Sequence, residues 1–282
     1  MLNTPNIKFC IPSFLERYSS VLKAVKKHFP QKNSTLLDLG CGEGDYSFAL
    51  AKDFKVIGLD ANPDDIKYNR FFKNKRGVKT LDFICKDALH TGFGDATFDY
   101  ILCVDVIEHV PDPKGLLLEA KRLLKKGGRL LFSFPSLDYP FIYDPINKLR
   151  SKMKKPNFSL GAYGYGHEKL IDPEDIDNIL TELSLKVIKK KRLSFHLVGF
   201  LEIYWASILQ KILKRNAANI DKKDKKDIVL KKVIKLRSFI KLLLSPVIFL
   251  VYLLVKIINT LDRIIFFKRK HSIGLMIVVE KE

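Results

Sequence analysis

The run Leu36-Leu37-Asp38-Leu39-Gly40-Cys41-Gly42-Glu43-Gly44-Asp45 places three glycines at alternate positions, directly after an acid set in an apolar stretch. Glycines in that position let the backbone turn tightly and approach a ligand, and the N-terminus of a following helix favours polar or anionic groups. Asp60 closes the next apolar run, Val56-Ile57-Gly58-Leu59-Asp60. An acid at the end of a second strand can accept both hydroxyls of a ribose. Asp38 narrows the choice of ligand further. A carboxylate beside a pyrophosphate would repel it, whereas the same carboxylate suits a ligand with a cationic amino-acid end.

Two histidines could move protons near neutral pH. His109 lies in Ile107-Glu108-His109-Val110-Pro111-Asp112, just beyond an apolar run, and reads as a general base; alternatively, Glu108 and His109 brace the following loop. His167, with Glu168 beside it, forms a second pair. Between them, Pro135 to Gly166 makes a connection long enough to serve as a lid or binding loop. Its Tyr139, Phe141, Tyr143, Tyr163 and Tyr165 could wall an apolar or ring-shaped acceptor, or pack the loop onto the body. Cys10, Cys41, Cys85 and Cys103 show neither C-x-x-C spacing nor a histidine pair at zinc-ligand distance. No metal site is expected, and the cysteines read as reduced thiols.

The elements that must carry these residues are legible in the hydrophobic pattern. Short apolar runs, TLLDLG, KVIGLD, TLDFICKD, FDYILCVD and GRLLFSF, alternate with helix-length amphipathic stretches. That alternation predicts βαβ units and a mainly parallel, doubly wound α/β sheet. One helix is expected over Asp112 to Lys125, stopped by Gly127-Gly128, and another over Pro173 to Leu183, capped by Asp172. Strands are expected near Leu185 to Phe195 and over Ile273 to Glu280.

The ordered motifs DLGCGEG, GLD, CKDALH, FDYILCVDVIEHVPDP and LLKKGGRLLFSFP resemble a class I S-adenosylmethionine-dependent methyltransferase over roughly residues 34 to 195 plus the last strand. The resemblance implies a Rossmann-like, seven-stranded sheet with an antiparallel last strand, and S-adenosyl-L-methionine as cofactor. By it, Asp38, Gly40 and Gly42, with Cys41 and Gly44 in the same loop, would hold the methionine moiety. Asp60, followed by Ala61, would hold the ribose. Asp87, flanked by Lys86 and Ala88, would meet the adenine, and Val104 and Asp105 would line the end of the fourth strand. The sequence is similar to the branch that includes quinone-biosynthesis O-methyltransferases, from which a long insertion before the last strand departs.

That insertion carries the charge asymmetry. Of a formal net charge of +19, +11 falls on residues 196 to 282, where 18 Lys and Arg face 7 Asp and Glu. The stretch Phe195 to Leu213 is apolar, Lys214 to Arg237 is basic, and Ser238 to Phe267 is apolar again. The uncharged core of the last stretch, Leu242 to Val255, lies between Lys241 and Lys256 and is shorter than the roughly 18 to 20 residues a spanning helix needs. Two crossings would also leave the basic connector on the far face, against the positive-inside tendency. The expectation is therefore a pair of helices lying in or dipping into an anionic cytoplasmic leaflet, with Tyr204, Trp205 and Tyr252 near the interface and Pro246 kinking the second. A helical cap or dimer interface is the soluble alternative. Nucleic acid is disfavoured, because no aromatic residue lies between Lys211 and Arg237.

The domains expected are thus an N-terminal helical segment (1–33), a cofactor-binding domain (34–195) with a lid at 135–168, a basic apolar insertion (196–272) and the last strand (273–282). The N-terminus lacks a basic region followed by an apolar run, so a secretory signal is not expected. The enzyme expected is a peripheral or monotopic one on the cytoplasmic face, acting on a lipid or lipid-linked acceptor, more readily at oxygen. A soluble small-molecule or tRNA methyltransferase, and a binding protein without turnover, are the alternatives.

Overall fold

The computed structural model describes residues 7–156, 170–202, 245–266 and 268–282. The chain forms two compact units. One comprises residues 20–138, 166–193 and 274–282; the other comprises residues 1–19, 139–165 and 194–273.

The first unit is built on a seven-stranded sheet ordered β3-β2-β1-β4-β5-β7-β6. Its strands are β1 (Thr35–Leu39), β2 (Lys55–Asp60), β3 (Leu81–Cys85), β4 (Phe98–Val104), β5 (Leu124–Pro135), β6 (Leu185–Leu193) and β7 (Gly274–Lys281). The first five run parallel, and β7 is antiparallel to both β5 and β6. The stretch between β6 and β7, residues 194–273, belongs to the other unit.

Apolar runs rather than alternating patterns mark the central parallel strands β1 and β4, where both faces of the sheet are covered, whereas the edge strand β3 alternates. Successive residues point to opposite faces. Leu37, Leu39, Ile101, Leu130 and Phe132 pack under α4 (Pro113–Leu123) and α6 (Pro173–Glu182). Their neighbours Leu36, Tyr100, Leu102 and Leu131 meet the second half of α1 (Pro12–His28), α2 (Asp45–Leu50) and α3 (Pro63–Arg76). Local chemistry sets the helix starts: Asn62, Asp112 and Asp172 each accept a first-turn N–H with the side chain, and each is followed by proline.

The helix expected to reach Lys125 ends two residues earlier. Leu124 is already extended and pairs with Phe98, so β5 begins before the Gly127-Gly128 pair expected to stop the helix. Sheet pairing, with Leu124 fully buried, overrides the helix-forming character of Leu-Leu-Lys-Lys.

In the second unit, the N-terminal turn, residues 139–156 and the described part of the insertion pack on one another. Glu202, fully buried, accepts the N–H of Ser13 at 2.6 Å. α5 (Pro145–Lys152) is capped by Asp144, which accepts the N–H of Asn147. α7 (Ser245–Phe266) is tied down by two polar side chains. Asn259 donates to the carbonyl of Pro12 at 3.0 Å, and the Asp262 carboxylate accepts the N–H groups of Phe195 at 2.6 Å and Leu197 at 2.8 Å. Pro246, expected to kink this helix, stands in its first described turn, and the helix runs on unbroken to Phe266. Among the described residues no helix is long and apolar enough to cross a membrane.

Candidate active site

Strand order reverses between β1 and β4: the chain proceeds outward from β1 to β3, returns to β4 beside β1, and then proceeds the other way. Ligands of open α/β sheets bind outside the carboxyl ends of the strands at such a switch point. The loops after β1, β2, β3 and β4 carry nearly all the cofactor residues named from the sequence, and all of these belong to the sheet unit.

Gly40, Gly42 and Gly44 all have positive φ, at 76°, 48° and 77°, a conformation costing a residue with a Cβ roughly 1–2 kcal/mol. Their surroundings differ. A Cβ on Gly40 would lie 2.2 Å from Cγ2 of Val106, in the loop after β4; one on Gly42 would meet no atom of the described residues within 4 Å. Gly40 is thus required by packing. Gly42 has no described neighbour on that side, which leaves room for a ligand against its backbone.

The loop is held from three sides. Gly40 and Cys41 donate to the carbonyl of Leu59 at the end of β2, at 2.8 and 2.9 Å. Asp60 accepts the N–H of Gly42 at 2.8 Å with one oxygen and that of Asn62 at 2.9 Å with the other. A carboxylate has about four lone-pair sites, so capacity remains for two ribose hydroxyls. On the third side Asn69, fully buried on α3, donates from its amide nitrogen to the carbonyl of Gly42 at 2.7 Å. Sequence reading missed Asn69. The readable signal was a polar residue one turn from Ile66 on the buried face of an amphipathic helix.

Asp38 is 2 % exposed and accepts the Ser47 hydroxyl at 2.5 Å. Burial pushes its carboxyl up to about 7, against the lowering effect of the Ser47 hydrogen bonds. It therefore ties β1 to α2 as well as lying beneath the loop. The neighbouring Cys41 thiol is raised too, by burial and then by Asp38 and Asp60, which disfavours the nucleophilic thiolate. The four cysteines are free, and among the described residues no group of three or more His, Cys, Asp or Glu is placed to hold a metal.

After β3, Ala88 is buried while Lys86 and Asp87 are exposed. The Asp87 side chain accepts the N–H of Leu89 at 2.9 Å, forming a turn. After β4, Asp105 adopts φ 54° and is fixed by Ser133 of β5, whose hydroxyl donates to its carboxylate at 2.7 Å. Left-handed backbone at a non-glycine residue is strain that clusters at functional sites. Val104 is partly buried beside it, and Ala61 is exposed. Farther along the same loop the His109 side chain is 44 % exposed, with Nε2 3.9 Å from the buried Glu108 carboxylate.

Of the acceptor residues, Tyr139 and Tyr143 are buried in the other unit. They pack edge to face with centroids 5.8 Å apart, and Lys148 Nζ lies 4.5 Å over the Tyr139 ring. Their described role is packing, while Phe141 between them is exposed. Tyr163, Tyr165 and His167 lie outside the described residues.

A model of the methyltransferase domain family matches residues 30–216. The chain belongs to that family. Its methyltransferase domain is 36 % identical over 114 residues to an uncharacterized protein of Methanocaldococcus jannaschii, covering 40 % of this chain and 46 % of that protein. It is 26 % identical over 166 residues to the ubiquinone biosynthesis O-methyltransferase of Hydrogenovibrio crunogenus, covering 58 % of this chain and 67 % of that one. The chain thus spans about half the length of the first of these relatives. Phosphoethanolamine N-methyltransferase 2 of Haemonchus contortus, solved with S-adenosyl-L-methionine, superposes with a TM-score of 0.56 over 94 % of this chain and 52 % of that one, at 17 % identity. Likeness at that identity shows the fold, the seven-stranded sheet with its antiparallel last strand. The family's cofactor is S-adenosyl-L-methionine, and the residues present fit it: room against the Gly42 backbone, an acid at Asp60 with acceptor capacity left for a diol, and an acid beneath the loop at Asp38.

Proposed function

We propose that the protein transfers a methyl group from S-adenosyl-L-methionine to an oxygen of a lipid or lipid-linked acceptor at the cytoplasmic membrane surface. The observation that carries the donor half is the glycine loop clasped between Asp60 and Asn69, open at Gly42. In this reading Gly40, Cys41, Gly42 and Gly44 border the methionine moiety above Asp38, Asp60 takes the ribose, and Lys86, Asp87 and Ala88 border the adenine. The bound cofactor supplies an electrophilic methyl on a sulfonium; displacement by an acceptor oxygen forms the C–O bond, breaks the C–S bond and leaves S-adenosylhomocysteine.

The protein's part is to align the acceptor, exclude water and receive the hydroxyl proton. His109, on the loop after β4 beside the switch point and half open to solvent, is the candidate base, and Asp105 shapes that loop. The acceptor half is supported by the ubiquinone biosynthesis O-methyltransferase relative and by the basic, apolar insertion. Incubating the protein with radiolabelled methyl donor and membranes, then extracting lipid, tests both halves. Label in the extract that depends on Asp60 supports the proposal; label confined to water-soluble small molecules or RNA refutes its acceptor.

A further inference from the structure

The outward face of α7 carries an apolar row from Leu250 to Ile264, with the exposed Thr260 at its edge. On the packed side Ile248, Val255, Asn259 and Asp262 are buried. Leu250, Leu254, Ile257, Leu261 and Ile264 recur at alternating spacings of four and three on the opposite side, each between 45 % and 65 % exposed. Such a row costs free energy in water and requires an apolar partner. Charges flank it: Lys256 and Arg263 are exposed on one border, and Lys268, Arg269 and Lys270 are exposed just beyond the helix.

We infer that this face is an in-plane anchor for a phospholipid bilayer with anionic headgroups. The polar ties of the packed side decide the orientation. Asp262 caps backbone N–H groups at 195 and 197, and Asn259 holds Pro12, so the helix cannot be surrounded by lipid without breaking them. It lies flat, with its row immersed at the acyl boundary and its cations at headgroup level. Lys256, which covers the Tyr252 ring at 5.3 Å, is placed to snorkel in this way. Charge decides the partner. A second copy seated on the same row would bring Lys256, Arg263 and the 268–270 cluster against an equally basic surface, whereas an anionic leaflet attracts each near-surface cation by about 1 kcal/mol. This deepens the acceptor reading by naming the surface that would bring the enzyme to its lipid, yet lipid binding stands or falls without turnover.

The test is sedimentation of the full chain with phosphatidylcholine vesicles, with and without 30 mol % phosphatidylglycerol (about that fraction suffices to set a negative surface potential), for wild type, Ile257→Glu and a Lys268→Glu/Arg269→Glu/Lys270→Glu variant. Ile257 points outward, so its replacement leaves the packed side intact, and circular dichroism with donor binding verifies folding. Wild type is expected to bind anionic vesicles at least tenfold more tightly than neutral ones. Ile257→Glu should weaken binding to both at least tenfold, and the charge variant should weaken only the anionic case. Wild type that stays in the supernatant, or an Ile257→Glu variant that sediments equally, overturns the inference. So does a dimer in size exclusion that Ile257→Glu splits, which would make the row a self-interface. Vesicle binding without labelled lipid would refute the acceptor reading alone.

Discussion

Replacing Gly40 and Gly42 separately by alanine divides the two duties of the glycine loop. Both substitutions put a Cβ on left-handed backbone, at a cost of about 1–2 kcal/mol. For Gly42→Ala that is the whole expected cost to the fold, since the new methyl meets no atom of the described residues within 4 Å. Gly40→Ala adds a collision with Val106 at 2.2 Å. Val106 is β-branched and stiff about χ1, and its loop also carries His109, so relief means moving backbone. Overpacking of this kind costs a further ~1–3 kcal/mol, giving about 2–5 kcal/mol in all. Chemical denaturation of both variants gives the stabilities, and calorimetric titration with S-adenosyl-L-methionine gives the affinities. Gly42→Ala should lose only about 1–2 kcal/mol of stability and bind the cofactor at least tenfold more weakly; Gly40→Ala should lose about 2–5 kcal/mol. Unchanged cofactor affinity in a folded Gly42→Ala protein would refute the placement of the ligand over this loop.

Further outcomes follow from the same contacts. Asn69→Ala removes the donor to the Gly42 carbonyl and should weaken cofactor binding about tenfold while costing about 1–3 kcal/mol of stability, as expected for a buried acceptor left unpaired; equal affinity in calorimetry would make Asn69 a packing residue only. Asp38 binds its proton more tightly folded, near 7, than its ordinary 3.8, so the native state holds more protons and stability falls as pH rises from about 4 to about 7, levelling above. At about 1.4 kcal/mol per pH unit the loss is at most ~4 kcal/mol. Denaturation curves at pH 5 to 8 should show this slope in wild type and a shallower one in Asp38→Asn. His109→Gln should lower kcat by about 10²–10⁴ with cofactor affinity unchanged if His109 is the base; unchanged kcat would leave it a brace for the loop.

The sheet and the glycine loop were legible in the sequence because their signals are local. A buried parallel strand needs a continuous apolar run, and a sharp turn near a ligand needs glycine. What decides each glycine's role was not legible, since Val106 reaches Gly40 from the loop after β4 and Asn69 reaches Gly42 from α3. Ser47 and Ser133 were missed for the same reason: a hydroxyl in sequence gives no hint that it holds Asp38 or Asp105. The start of β5 at Leu124 depended on a partner strand rather than on helix propensity. Tyr139 and Tyr143 read from the sequence as acceptor wall or as loop packing, and their burial is what shows the packing. In α7, the contacts that Asn259 and Asp262 make, which no local pattern in the sequence announces, identify the packed side and so leave the apolar row on the other.

The central claim is that the loop between Asp60 and Asn69 holds S-adenosyl-L-methionine. Titration calorimetry of the full chain tests it directly. Saturable binding at one site, displaced by S-adenosylhomocysteine and weakened at least tenfold in Asp60→Ala, is the predicted result; absence of binding, or affinity indifferent to Asp60, would contradict it.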